Sequence, residues 1–357
     1  MVSLTKGSLL FFSLYDVCEE IRLDEVRQLL GAIPQPRSFK HAAPEYVRFE
    51  RPPVIEPIIC SEPHLKEASA QVKYYDYGVI SVLFEVPFQE EMDRVVELAA
   101  DWMSSPDLER AASKIVQDKV EKLRNALVRP YGNWINEDYF IFHFQEVSGI
   151  ASARELLERC GAQISQIIRG ERLALSTGEQ QEILQSSISY YPNDLVVVGW
   201  YASVVYDTPA GAQTAIQLLE YANSQLLEFR YYDEYLTREL GSVYALVRRS
   251  RGFFARWTLP KEMARLQSIT VEVAELVERV DNSIKFLSDM FSARLYKVAA
   301  EKVGVPDYKS LVNQKLDTAQ ELYRSLNDEF QASRGFVLEL MVVVILVIEL
   351  VFVFRGK

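Results

Sequence analysis

The sequence predicts an α+β head, followed by a long antiparallel helical hairpin and a C-terminal transmembrane helix. Three observations predict this fold class. Residues 1–260 alternate between short apolar runs and amphipathic stretches, residues 261–334 repeat apolar positions every three or four residues, and residues 336–354 are nearly all apolar. With 357 residues, of which 49% are hydrophobic and 25% charged, the chain can bury at least one full core.

The head is predicted to contain two units of the same outline, each a strand, a helix, two strands and a helix, as in ferredoxin-like folds. Apolar and aromatic runs predict strands at Ser8–Val17, Val72–Tyr77, Val79–Val86, Asp138–Glu146, Glu182–Tyr190 and Leu195–Tyr206. Helical patterns lie at Arg22–Leu30, after Pro87 to Met103, at Ala151–Cys160, and from Pro209 to Arg230. Gly31 and Gly161 are expected to end two of these helices.

The helical hairpin is predicted from apolar residues between Met263 and Val298, which follow alternating steps of three and four once Thr270 and Arg294 fill two gaps; this spacing is typical of a coiled coil. The first arm would be one helix, Lys261–Lys302, and the chain would reverse at Gly304 and Pro306. So long an arm has more apolar surface than its return arm covers, so we expect contacts with the head or with other subunits. The interface residues would be Leu266, Val273, Val277, Ile284 and Phe291. The alternative is an ordinary helical subdomain of a monomer.

The C-terminal segment Phe336–Phe354 is apolar except for Glu339 and Glu349. As a helix it would be about 28 Å long, close to the roughly 30 Å of a bilayer's hydrocarbon core. Arg334 and Arg355 flank it and could reach lipid head groups. The segment therefore predicts a tail anchor, with Glu349 reaching head groups and Glu339 meeting a polar partner on a neighbouring tail. The alternative is a core helix buried at the centre of an oligomer.

These patterns divide the chain into five predicted parts. They are a first α/β unit at 1–105, a helical connector at 106–135, a second α/β unit with a long helix at 136–260, the coiled-coil-like hairpin at 261–334, and the membrane anchor at 335–357.

No motif in the sequence predicts a catalysed reaction. The phosphate-binding patterns G-x-x-x-x-G-K-[ST] and G-x-G-x-x-G are absent, as are H-E-x-x-H, C-x-x-C and G-x-S-x-G. We therefore assign no catalytic, cofactor-binding or metal-binding residues. The three histidines, His41, His64 and His143, lie in separate segments, and His143 is expected to be a structural residue of a strand. The net charge of −11 argues against nucleic acid as the main ligand.

Three segments resemble the "required for meiotic nuclear division" proteins. They are Tyr15–Asp16 with Glu19–Ile21, the strand Tyr74–Ile80, and a tail in which Leu338–Glu339 precedes an aliphatic run and Ile348–Glu349. The resemblance implies a C-terminally anchored membrane protein that forms homo-oligomers and has no known enzymatic activity. It implies a single-pass protein of a bacterial inner membrane, or alternatively a mitochondrial inner membrane, with its head in the cytosol.

The leading hypothesis is a membrane-anchored, homo-oligomeric scaffold or interaction protein, whose partners are the lipid bilayer, itself and an unidentified protein. The alternative is a membrane-attached enzyme or a factor associated with nucleic acid or the ribosome, with a site in the head that matches no motif. A pocket lined by converging polar groups with shifted pKa values would favour an enzyme, whereas a flat or apolar face would favour a scaffold.

Overall fold

The computed structural model describes residues 4–31, 47–49, 51–59, 68–249, 255–282, 284–286 and 290–355. The chain divides into two compact units. The first unit comprises Met1–Tyr231 and Glu278–Tyr308, and the second comprises Tyr232–Val277 and Lys309–Lys357. Two of the three histidines, His41 and His64, lie outside the described residues.

The strands are β1 Leu4–Ile21, β2 Val47–Phe49, β3 Val54–Ile58, β4 Ser69–Tyr74, β5 Val79–Glu91, β6 Leu127–Val147, β7 Ser187–Ile188, β8 Leu195–Val198, β9 Ala202–Tyr206 and β10 Ile284–Phe286. The helices are α1 Leu23–Leu29, α2 Met92–Ser104, α3 Asp107–Lys122, α4 Ala153–Arg169, α5 Thr177–Leu184, α6 Ala212–Arg249, α7 Ala255–Asn282, α8 Met290–Val303 and α9 Val305–Arg355.

The first unit is built on one mixed sheet of eight strands in the order β3-β4-β5-β1-β6-β9-β8-β7. Strands β6 and β9 are parallel, and the other neighbouring pairs are antiparallel. Strands β10 and β2 form a separate antiparallel pair. The chain is thus an α+β protein, and the predicted fold class of two ferredoxin-like units is wrong, because a single sheet runs across both.

The join between the two halves is the pairing of β1 with β6. Their register runs from Thr5 opposite Val147 to Ile21 opposite Leu127. The consecutive residues Leu9–Phe12 are all buried, as expected for a strand with both faces covered. The residue pattern predicts that such a strand exists but not which strand it pairs with. The prediction therefore divided the head into two units.

Helices cover both faces of this sheet. On one face, the ring of Phe11 lies 4.9 Å from that of Phe140 and 6.3 Å from that of Phe84, within a core to which α1–α5 contribute. Helix α6 lies on the opposite face. Ser81 and Phe84 are three residues apart in β5, so their side chains point to opposite faces, and the Ser81 hydroxyl donates a hydrogen bond of 2.7 Å to Glu220 of α6.

Three local predictions in the second half of the head are corrected. Helix α4 passes through Gly161 and ends at Gly170, whose φ of +66° is the left-handed conformation that favours glycine. Most of the predicted strand Glu182–Tyr190 is not a strand, because α5 occupies Thr177–Leu184 and Ser176 caps it by accepting a hydrogen bond from the Glu179 amide. The predicted strand Leu195–Tyr206 is a tight hairpin of β8 and β9.

The predicted hairpin arm Lys261–Lys302 is not a continuous helix. Helix α7 ends at Asn282, β10 follows, and α8 begins at Met290. A spacing pattern of apolar residues predicts where a helix can form but does not show where it ends. The reversal expected at Gly304 is a change of helix, where φ is +91° and α9 starts at the next residue.

The second unit contains parts of three helices around its own core. That core consists of Leu240 and Val243 from α6, Met263 and Leu266 from α7, and Ala319 and Leu326 from α9. Ion pairs flank it: Lys315 lies 2.5 Å from Asp233, and Arg265 lies 2.6 Å from Glu239. The apolar spacing of α7 is therefore used to pack helices within one chain.

The predicted transmembrane helix is a further correction. In the part of the chain that the structure describes, no helix has an apolar stretch long enough to cross a bilayer. The tail anchor, and the single-pass localisation in a bacterial or mitochondrial inner membrane, are accordingly wrong.

The core of the second unit gives a first prediction. Leu266 is 1% exposed, so the Leu266→Ala variant should lose about 2–5 kcal/mol of unfolding free energy in urea titrations, because it leaves a cavity. Val271→Ala in the same helix is the control, since Val271 is 60% exposed and its truncation should cost less than about 0.5 kcal/mol. Equal losses in the two variants would contradict this packing.

Candidate functional site: an acidic pocket beside strand β6

A pocket of about 400 Å³ lies in the first unit, where the turn between α2 and α3 faces β6. This volume is within the range of small-ligand sites. We call it the acidic pocket. It is lined by Phe11, Met103, Ser104, Ser105, Pro106, Glu109, Asn136, Glu137, Asp138, Phe140, Tyr201 and Arg230.

The alternation of β6 places the polar residues of the acidic pocket. Asn136, Asp138 and Phe140 share one face of the strand, and Glu137 points to the other. Glu137 is buried and forms an ion pair with Arg230 from α6. Both faces of β6 thus contribute side chains to a single pocket.

Hydrogen bonds hold the two remaining carboxylates in place. The Ser13 hydroxyl from β1 donates to Oδ1 of Asp138 at 2.5 Å, and Nδ2 of Asn136 donates to Oε1 of Glu109 at 3.3 Å. Within the described residues, neither Asp138 nor Glu109 forms an ion pair with a Lys or Arg side chain. The acidic pocket therefore holds three carboxylates and one guanidinium, and that guanidinium is paired with Glu137.

Burial and like charges shift the acid equilibria of the acidic pocket. Burial, opposed by the hydrogen bond from Ser13 and assisted by the charges of Glu109 and Glu137, raises the pKa of Asp138 to about 6. Burial also raises the pKa of Glu137, while Arg230 lowers it. An external positive charge would relieve this repulsion and favour the ionised form of Asp138.

A buried polar network joins the opposite face of the sheet to α6. Glu220, Ser224 and Glu228 recur every four residues along α6 and so share one side of it. Glu220 forms a buried ion pair with Lys73, and the Ser224 and Tyr77 hydroxyls lie 2.8 Å apart. We interpret this network as structural, because breaking a buried ion pair leaves an uncompensated charge.

Asp16 on β1 also faces this network. It is 1% exposed, and neither carboxyl oxygen has a hydrogen-bond partner among the described residues. Burial, with the nearby charge of Glu228, raises its pKa well above the ordinary value. The sequence signal for this network was the pair Glu220 and Glu228, eight residues apart and on one side of α6, and it was missed.

The residues singled out from the sequence lie elsewhere. Leu266, Val273 and Val277 are buried in α7 of the second unit. The other two predicted interface residues belong to the first unit, Ile284 in β10 and Phe291 in α8. All four predicted anchor residues fall on α9: Arg334, Glu339, Glu349 and Arg355.

The expected structural role of His143 agrees with its surroundings. It is buried in β6, and its Nε2 lies 3.0 Å from the Asp207 carbonyl oxygen. Burial lowers its pKa. Among the described residues, no group of three or more His, Cys, Asp or Glu side chains could hold a metal ion.

Comparison with known proteins gives a family. A family model described as the N-terminal domain of the uncharacterized protein MJ0711 matches residues 6–213, which is more than half of the chain. The chain belongs to this family. A relative within it, the uncharacterized protein MJ0711 of Methanocaldococcus jannaschii, is 20% identical over 261 residues, covering 73% of this chain and 79% of the relative. No solved structure matches.

The region shared with the MJ0711 N-terminal domain runs from β1 to the start of α6. It includes Glu109 and the β6 residues Asn136–Asp138, whereas Arg230 lies beyond it. Most of the acidic pocket is thus built by the part of the chain that defines the MJ0711 family.

The raised pKa of Asp138 gives a second prediction. Between its ordinary value of 3.8 and about 6, the folded state holds a proton that the unfolded state releases, so the free energy of unfolding should fall as pH rises through this window. In the Asp138→Asn variant the side chain can still accept the hydrogen bond from Ser13 but cannot ionise, so its free energy of unfolding should fall less over this pH window. The measurement is urea unfolding of both proteins from pH 4 to 7. Parallel curves would contradict the assignment, since other buried carboxyls contribute equally to both proteins.

Proposed function

We propose that this MJ0711-family protein is an interaction protein whose first unit binds a cationic group of a partner in the acidic pocket. One observation carries the proposal: three carboxylates converge on this pocket, and its one guanidinium, Arg230, is already paired with Glu137. The remaining carboxylates, Glu109 and Asp138, are held in place by neutral donors.

An amine or guanidinium fits this arrangement in both charge and shape. Charge-assisted hydrogen bonds to a carboxylate are stronger than neutral ones, and partial burial strengthens them further. Phe11 and Phe140 supply an apolar wall against which the methylene groups of a lysine or arginine side chain could pack. The ligand class is therefore a positively charged side chain or small amine.

The alternative drawn from the sequence, an enzyme or a factor associated with nucleic acid or the ribosome, has less support. The negative charge of the acidic pocket repels phosphate groups. Asp138 alone could donate or accept a proton near neutral pH, but one such group does not define a reaction. The resemblance to the "required for meiotic nuclear division" proteins stays a prediction and carries no part of this proposal.

A third prediction tests cation binding. The probe is n-butylammonium, titrated into the full chain at pH 7.5 and followed by NMR, with an expected Kd of about 1 mM for so small a ligand. Asp138→Asn should weaken binding about tenfold, because it removes a charge-assisted hydrogen bond. Binding by the unaltered chain should weaken as pH falls through about 6, where Asp138 takes up a proton.

The matched control for this titration lies on α3. Glu109 lines the acidic pocket, whereas Glu121 on the same helix is exposed and lies outside it. Glu109→Gln should weaken binding and Glu121→Gln should not. If the unaltered chain does not bind n-butylammonium, or if Glu121→Gln weakens binding as much as Glu109→Gln, then the proposal is wrong.

A second function, self-assembly, is favoured by a different observation. The described side chains of residues 341–351 in α9, which we call the apolar segment, are exposed, and only Glu349 among them is charged. A helix that is apolar on all sides is normally buried. We propose that copies of the same segment cover one another, because symmetric homo-oligomers are the commonest way in which one chain covers such a surface.

The fourth prediction concerns the apolar segment. The unaltered chain should show a mass that is a multiple of 41.0 kDa in light scattering, and the Val344→Asp/Ile348→Asp variant should move to 41.0 kDa, because it would bury unpaired charge. Arg355→Gln is the control and should leave the mass unchanged. Self-assembly would be contradicted if the unaltered chain were already monomeric, or if it associated only with phosphatidylcholine vesicles.

A further inference from the structure

Strand β6 is paired along most of its length on one side but along only five residues on the other. On one side, β1 accompanies it from Val147 to Leu127. On the other side, β9 pairs only with Phe140–Phe144. In the part of the chain that the structure describes, the residues just before Phe140 therefore have a strand on one side only. We call residues 135–139 the open edge of β6.

The direction of the backbone groups at this open edge follows from the neighbouring ladder. The Phe140 amide donates to the Tyr201 carbonyl at 3.1 Å, on the side where β9 lies. Because backbone direction in a strand alternates with a period of two, the amide and carbonyl groups of Asp138 and Asn136 point to the same side. Those of Glu137 and Tyr139 point instead toward β1.

The acidic pocket and the open edge coincide. Side chains from both faces of β6, Glu137 on one and Asn136 and Asp138 on the other, line one pocket. Such a pocket can form at the rim of a sheet, where the position of the next strand is empty. An added strand there would have backbone partners on β6 and carboxylates beside its own side chains.

We propose that an extended segment of a partner protein, carrying Lys or Arg residues, adds as a strand to the open edge of β6. This inference rests on the proposed function and names its ligand as a basic peptide. The backbone groups of Asn136 and Asp138 supply the ladder, and Glu109 and Asp138 receive the basic side chains. Strand addition of this kind takes affinity from main-chain hydrogen bonds and specificity from pockets for side chains.

The charge balance selects a basic occupant. The acidic pocket holds three carboxylates against one guanidinium, so an acidic segment would meet repulsion and a neutral segment would leave the excess charge unbalanced. The exposed ring of Tyr201 and the half-buried side chain of Met103 also line the acidic pocket and offer apolar contact. An extended segment with alternating aliphatic and basic residues fits both requirements.

The fifth prediction uses peptide probes against the full chain, by calorimetry at pH 7.5. Acetyl-Val-Lys-Val-Lys-Val-amide should bind at least about tenfold more tightly than n-butylammonium, because it adds backbone hydrogen bonds. N-methylating alternate amides of this peptide blocks one of its two edges. Two such peptides can be made, with the methyl groups on opposite edges. One of them should bind about tenfold more weakly than the unmethylated peptide, and the other should bind nearly as well. The peptide Acetyl-Val-Glu-Val-Glu-Val-amide should not bind.

The outcomes separate this inference from the proposed function. If n-butylammonium binds but the basic peptide binds no more tightly, or if neither methylated peptide loses affinity, strand addition is wrong and cation binding stands. If neither probe binds, the proposed function fails as well.

Discussion

The pairing of β1 with β6 is the constraint on which the rest of the first unit depends. Each strand contributes backbone groups to one ladder that runs from Thr5 and Val147 to Ile21 and Leu127. Because the two strands lie at the centre of the sheet, their side chains are buried on both faces, and helices must cover both. Polar residues on these faces then need internal partners, which explains why α6 brings Glu220 to Lys73 and Ser81.

The difference in length between β6 and β9 produces the site. Strand β6 extends with β1 past the point where β9 begins, and the sheet loses its next neighbour at Phe140. Carboxylates from β6, together with Glu109 from α3, collect in the space that is left. Partial burial and the mutual repulsion of these carboxylates raise the pKa of Asp138. Keeping Asp138 ionised therefore costs folding free energy, and a bound cation would relieve this cost.

The sequence predicted the location of several strands well, because runs such as Phe140–Phe144 are apolar enough to indicate burial. It could not predict which strands pair, since pairing depends on contacts between residues more than a hundred positions apart. It placed Asp138 at the start of a strand but could not bring it to Glu109 or Arg230. Spacing also misled between α7 and α8, where β10 interrupts the predicted helix, and in the tail, where residue type alone was taken as a membrane anchor.

Amide hydrogen exchange tests the central claim most directly, because it reports the pairing of each backbone group. If β6 is paired with β1 on one side and open on the other before Phe140, the amides of Glu137 and Tyr139 should exchange slowly. The amides of Asn136 and Asp138 should exchange at least about a hundredfold faster, because they point to the side of β6 that has no neighbouring strand. Equal and slow exchange at all four amides would show that a strand already occupies the open edge, and would contradict the account.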